Sequence, residues 1–176
     1  LIRLSPGRTI PPFIQNLTGI TDSMLQAEGV SKRDAAAAFS ALLVHPNTLL
    51  VAYNAQFDLC FLYYFLARQK QANILQGVKL LDAMTVYKDR HDYPHKLCNA
   101  IETYGLQGQN THRAIDDVKA TLELLDAMAT EEDDLAQYVN LFGYHPKYGV
   151  SGPRISSVTY RPQGYERHQK LYQSLP

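Results

Sequence analysis

An α/β fold is predicted by three features of the sequence. Residues 48–53 (TLLVAY) form a continuous apolar run of strand length. Residues 78–82 (VKLLD) read as a second short strand, with a helical pattern between the two runs and another after them. Residues 114–129 then form a long amphipathic helix. A continuous apolar run suits a strand covered on both faces, as in a parallel sheet. The order strand, helix, strand, helix places helices over such a sheet.

Residues 1–4 (LIRL) have the pattern of a strand, and residues 5–12 are turn-rich, punctuated by Pro6-Gly7 and Pro11-Pro12. In residues 17–21 (LTGIT) the glycine permits a tight turn between apolar flanks. Ser31 and Asp34 have the form of a capping box, so a helix follows to Val44, and His45-Pro46-Asn47 stops it. The run 48–53 ends at Asn54, where the next helix starts. Asp58 lies in its first turn and shares a face with Phe61, Leu62 and Phe65. By itself Asp58 reads more readily as a charge complement to the helix dipole than as a ligand. After the strand at 78–82 come helices at 83–88 and 95–104, the second closed by Gly105.

The helix at 114–129 carries the most informative pattern. At roughly 100° per residue, Asp117 falls on one side with Ala114, Val118, Thr121, Leu124, Leu125 and Met128. Asp116, Lys119, Glu123 and Asp126 fall on the other, so Asp116 is expected in solvent and Asp117 inward. An inward carboxylate must be paired, hydrogen-bonded or bound to a metal. His112 is about 140° from Asp117 on an ideal helix and fits the turn before it, with its ring over the same cleft. Taken alone, a structural aspartate and a capping histidine account for the pair equally well.

Composition narrows the class. The chain has 176 residues and a formal net charge of zero, with two cysteines, Cys60 and Cys98, that lack metal or disulfide spacing. No apolar run reaches the ~18 residues of a membrane span, and a reduced, cytoplasmic setting follows as the default. Residues 138–176 hold five basic residues, one acid and six of the twelve tyrosines. The remainder has four more acids than bases, a poor phosphate surface unless cations intervene. The expected organisation is a domain at 1–136 and an irregular Tyr-, Gly- and Pro-rich extension at 137–176 packing on it, with a short strand at 155–160.

Residues 53–58 (YNAQFD) followed by 112–117 (HRAIDD) resemble the second and third motifs of the DEDDh 3′→5′ exonuclease superfamily, with LTGIT at 17–21 resembling a further family turn. The likeness is greatest to the proofreading epsilon subunit of bacterial DNA polymerase III and its stand-alone relatives. It implies a ribonuclease H-like mixed sheet flanked by helices, and removal of nucleotides from single-stranded or frayed 3′ ends. DNA is the expected substrate, with two Mg²⁺ or Mn²⁺ ions and possible association with a DNA polymerase. By position, Asp58 and Asp117 would be metal ligands and His112 the general base. Leu17, Thr18, Asn54 and Phe57 would surround the terminal nucleotide. Tyr53 stands where the family often has histidine.

The departure is the first motif. No Asp-x-Glu occurs in the 176 residues, and the two other acids considered, Asp82 and Glu102, fall in no matching motif. In the family that motif lies on a central strand. The natural protein is therefore expected to carry about 25–40 further N-terminal residues forming two strands, with a gap beside the run 48–53 in their absence. The chain alone is expected to be inactive. A non-catalytic nucleic-acid-binding or interaction module derived from such an enzyme is the alternative.

Overall fold

A computed structural model describes residues 1–107, 114–165 and 169–174. Two short helices open the chain, α1 (Pro12–Thr18) and α2 (Asp22–Glu28). Pro12 starts the first, where its missing N–H costs nothing, and Gly19 ends it at φ 69°, a left-handed conformation that favours glycine. Thr21 caps α2 by accepting from the Met24 N–H. The Asp22 carboxylate accepts from the Ile10 N–H at 2.9 Å and pins the preceding segment. The turn-rich reading of this region misses both helices. Residues 1–4 do not form a strand; Ile2 makes one parallel bridge to Val30.

Helix α3 (Lys32–Leu43) has the expected Ser31 cap, whose hydroxyl accepts from the Asp34 N–H. Strand β1 (Leu49–Ala52) follows, then α4 (Ala55–Arg68), a short 3-10 helix (Ala72–Gly77), and β2 (Lys79–Asp82). The α4 crossover sets β1 and β2 parallel, with Leu49 opposite Lys79 and Ala52 opposite Asp82. Helices α5 (Ala83–Arg90), α6 (Leu97–Thr103) and α7 (Ala114–Glu131) complete the expected order.

The C-terminal region is less irregular than its composition suggests. It contains β3 (Leu141–Tyr144) and β4 (Thr159–Pro162), paired in parallel. The strand expected at 155–160 begins only at Thr159; Ile155 and Val158 are buried in the turn before it. Asn140, at φ 62°, links β2 to β3: its N–H donates to the Leu80 carbonyl (2.7 Å), while its side-chain oxygen accepts from the Leu80 N–H (2.9 Å).

Alternate residues of the strands feed two separate cores. Leu80 and Phe142 pack with Ala36, Leu59, Leu66 and Val158, beneath α3 and α4. Leu81 and Leu141 pack with Val86, Tyr87, Leu124 and Met128, beneath α5 and α7. Period-two alternation thus puts helices on both faces, and both faces of the strands are covered as the apolar patterns require. All strand pairing among the described residues is parallel. No described helix is long and apolar enough to cross a membrane.

One edge of β1 is different. Its partner on one side is β2, and along its other side runs a trough of about 1280 Å³. Its walls include Leu50 and Ala52 of β1, Phe61 and Phe65 of α4, Val118 and Leu122 of α7, and Ile2. These apolar walls leave Phe61, Val118 and Leu122 exposed.

Candidate active site

The polar groups of the trough gather where β1 gives way to α4. Asn54 turns the chain at φ 66° and ψ 52°, a left-handed conformation that asparagine tolerates better than most residues. Its N–H and that of Ala55 both donate to Asp82 Oδ1, at 2.9 and 3.0 Å. Asp82 Oδ2 accepts from the Thr85 hydroxyl at 2.7 Å, and Thr85 Oγ1 in turn accepts from the Gly143 N–H at 3.0 Å. A side chain on Gly143 would collide with Gln163, whose amide donates to the Thr85 carbonyl. The start of α4 is therefore held from beneath by a buried carboxylate, itself fixed to α5 and β3.

Asp82 is the residue that sequence reasoning passed over. It is fully buried. Burial pushes its carboxyl upward against the hydrogen bonds from Thr85, Ala55 and Asn54 that favour the ionised form. With both oxygens engaged, it is a support for the site and not a donor to it. Its position at the end of the second strand, where parallel α/β sheets place their sites, was the available signal.

On this platform Asn54, Phe57 and Asp58 face the trough, and Asp117 reaches the same trough from α7. Asp58 is exposed. Desolvation raises its carboxyl above the ordinary carboxylate range, a backbone hydrogen bond partly offsets this, and the charge of Asp82 adds to it. Asp117 is half-buried, and its Oδ1 is buried without a hydrogen-bond partner among the described residues. A buried carboxylate oxygen in this state is poised to accept a water or a cation. Two hard oxygen donors, one from α4 and one from α7, face one trough and fit part of a divalent-cation site. Among the described residues no cluster of three or more potential ligands exists.

Helix α7 is clamped at its far end. Arg90 donates to the Met128 and Glu132 carbonyls and to Glu131 and Asp134. Lys170 pairs with Glu132 and Asp134. Desolvation opposes ionisation of Asp134, yet hydrogen bonds from Lys170, Arg90 and Tyr172 hold its carboxyl below the usual range.

The sequence-predicted residues divide as follows. Asp58, Asp117, Asn54 and Phe57 share the trough. His112 lies outside the described residues. Leu17 and Thr18 do not line the trough; the Thr18 hydroxyl donates to the Ile14 carbonyl (2.8 Å), and Leu17 stands exposed on α1. Asp116 is half-buried and engaged with another residue, not solvated as the wheel implies. Val118 and Ala114 share Asp117's side as expected, but they face the open trough and not a closed core.

Three comparisons bear on this geometry. The fold matches Escherichia coli Exonuclease I in complex with a dA16 oligonucleotide, with TM-score 0.67 and 20% identity, over 78% of this chain and 34% of that one. The same enzyme with dT13 gives TM-score 0.66. Its zinc-bound form with single-stranded DNA gives 0.63 at 22% identity, over 74% of this chain and 32% of that one. These likenesses show a ribonuclease H-like α/β fold. In sequence, 119 residues are 31% identical to the 3′-5′ exonuclease DinG of Staphylococcus aureus, covering 66% of this chain and 13% of that protein. The chain thus spans a small part of the relatives it matches. Residues 2–125 match the family model for exonucleases of the ribonuclease T type, and the chain belongs to that family, within the DEDD superfamily of 3′→5′ exonucleases.

Proposed function

We propose that this protein is a metal-dependent 3′→5′ exonuclease acting on single-stranded or frayed DNA ends. The observation that carries the reading is Asp117, which lines the same trough as Asp58 and whose Oδ1 is buried without a hydrogen-bond partner among the described residues. Asp58 and Asp117 would hold Mg²⁺ or Mn²⁺, which supply charge neutralisation and an acidified water to phosphodiester cleavage. His112 takes the proton of the attacking water as the phosphorus–O3′ bond breaks, a role that an imidazole titrating near neutrality can fill. Asn54 and Phe57 flank the terminal nucleotide, Phe57 offering its ring to the base. Leu17 and Thr18, on α1, would contact the nucleotide from outside the trough. The oligonucleotides held by Exonuclease I support DNA as the polymer. Association with a DNA polymerase follows only from the resemblance to the epsilon subunit.

Two carboxylates carry too little charge to hold two divalent ions against their mutual repulsion. Catalysis through two ions therefore requires further carboxylates at the trough beside Asp58 and Asp117. The second reading is a nucleic-acid-binding module without turnover, derived from such an enzyme. The deciding experiment incubates the native protein with 5′-labelled single-stranded DNA and RNA, with Mg²⁺, Mn²⁺ or a chelator. The exonuclease reading expects a ladder shortening from the 3′ end that the chelator abolishes. Binding without shortening in either metal establishes the second reading.

A further inference from the structure

A chain of rings leads outward from the polar end of the trough. His95 and Lys96 line the trough, and the Tyr53 hydroxyl donates to the His95 carbonyl at 3.0 Å, tying this loop to the turn at Asn54. The His95 ring stacks on Tyr165 (centroids 5.6 Å apart, 19° between planes) and meets Tyr93 edge-on at 5.9 Å. Tyr93 and Tyr165 lie 5.4 Å apart, Tyr165 and His145 4.9 Å, and His145 and Tyr148 5.0 Å. His95 is buried, but Tyr93, Tyr165 and Tyr148 are 67, 49 and 73% exposed. Their hydroxyls make no hydrogen bond among the described residues.

A single exposed tyrosine is unremarkable. Three of them, joined through histidine rings and opening from the edge of a candidate active site, make a continuous interaction surface. Its chemistry suits one kind of partner. The rings offer planar faces, and cations flank both ends. The Lys147 ammonium lies 5.4 Å above the Tyr148 ring, and Lys96 stands exposed at the inner end. The acid beside Tyr93, Asp92, is engaged with another residue. Stacking faces interleaved with cations fit an unpaired nucleic-acid strand, whose bases stack without regard to sequence and whose phosphates need positive charge. A strand whose 3′ end sits at Asp58 and Asp117 must leave the trough somewhere, and His95 marks an exit.

We propose that Tyr93, Tyr165 and Tyr148 form a stacking track for the nucleotides 5′ of the one being removed. The proposal rests on the nuclease reading for the identity of the strand. The loop before α6 supplies one ring and the region around β3 and β4 the other two, so the C-terminal region becomes part of the substrate path. Substrates long enough to reach the track are held more tightly, by about tenfold for each base stacked.

The test measures binding of fluorescein-labelled dT2, dT6 and dT12 to the native protein by anisotropy. Tyr93→Ala, Tyr165→Ala and Tyr148→Ala are compared with the corresponding phenylalanine variants. The chain has no tryptophan, so quenching of tyrosine fluorescence on binding reads stacking directly. The expected result is wild-type affinity that rises with length, alanine variants that lose about tenfold for dT12 but bind dT2 unchanged, and phenylalanine variants that retain both. Alanine variants with an undiminished length dependence overturn the track and leave the nuclease reading standing. So do equal losses for dT2 and dT12, or phenylalanine variants as weak as alanine. A wild-type protein that binds no oligonucleotide overturns both.

Discussion

Replacing Asp82 with alanine strips the support from beneath the start of α4. Two backbone donors, the N–H groups of Asn54 and Ala55, lose their shared acceptor. A buried donor left without a partner costs about 1–3 kcal/mol. The Thr85 hydroxyl suffers less, because it still accepts from the Gly143 N–H. Against this, the variant is relieved of a carboxyl group whose burial opposes its ionisation. The balance is a loss of about 2–4 kcal/mol, a large share of the roughly 5–15 kcal/mol of a typical domain. Asp82→Asn keeps an acceptor for both N–H groups, and the Thr85 hydroxyl can reorient to accept from the new amide. That variant should lose only about 1 kcal/mol. Urea unfolding of the three proteins is the assay. An alanine variant within about 0.5 kcal/mol of wild type, or an asparagine variant as unstable as alanine, would refute the account of this turn.

The remaining predictions concern the site and its clamp. In an active form, Asp117→Asn abolishes cleavage of labelled DNA while Asp116→Asn leaves most of it; equal losses would reject the division of roles. His112→Ala lowers turnover by about 10²–10⁴ with little change in oligonucleotide affinity, and unchanged turnover would place the base elsewhere. Arg90→Met destabilises the protein by about 1–3 kcal/mol near neutral pH, moderated because Glu131 is partly solvated and Asp134 keeps Lys170. Asp134 has a folded-state value below its unfolded one. The stability that Arg90 lends through it is therefore full above about pH 4 and lost as pH falls through the folded value. Thermal melts of both proteins across pH 2–7 should converge at the acid end, and a gap that widens there contradicts the assignment.

What the sequence made legible were elements defined by strong periodicity. The α7 wheel separated Asp117 from Asp116 because five buried positions, Ala120, Thr121, Leu124, Leu125 and Met128, set its inward side. It misjudged Asp116, since a wheel describes one helix and cannot show what packs beside it. Helices α1 and α2 are seven residues each, about two turns, too short for a period of 3.6 to emerge from turn-rich surroundings. Asp82 falls in no matching motif, and its supporting role is hidden in the sequence because its three donors come from Asn54, Ala55 and Thr85, two of them distant. The same reason hid β3: Leu141 and Phe142 divide between two cores that form only once β2 and Asn140 are joined.

Assignment of the trough as the active site depends on where a divalent cation binds. Crystals of the native protein grown with Mn²⁺ and a 3′-terminal mononucleotide, measured at the manganese absorption edge, report this without depending on turnover. The anomalous peak should lie in the trough between Asp58 and Asp117, in contact with Asp117 Oδ1, with the nucleotide base beside Phe57. A peak on the outer face of α7 at Asp116 or Asp126, with Asp117 Oδ1 still uncoordinated, would contradict the assignment of this trough as the active site.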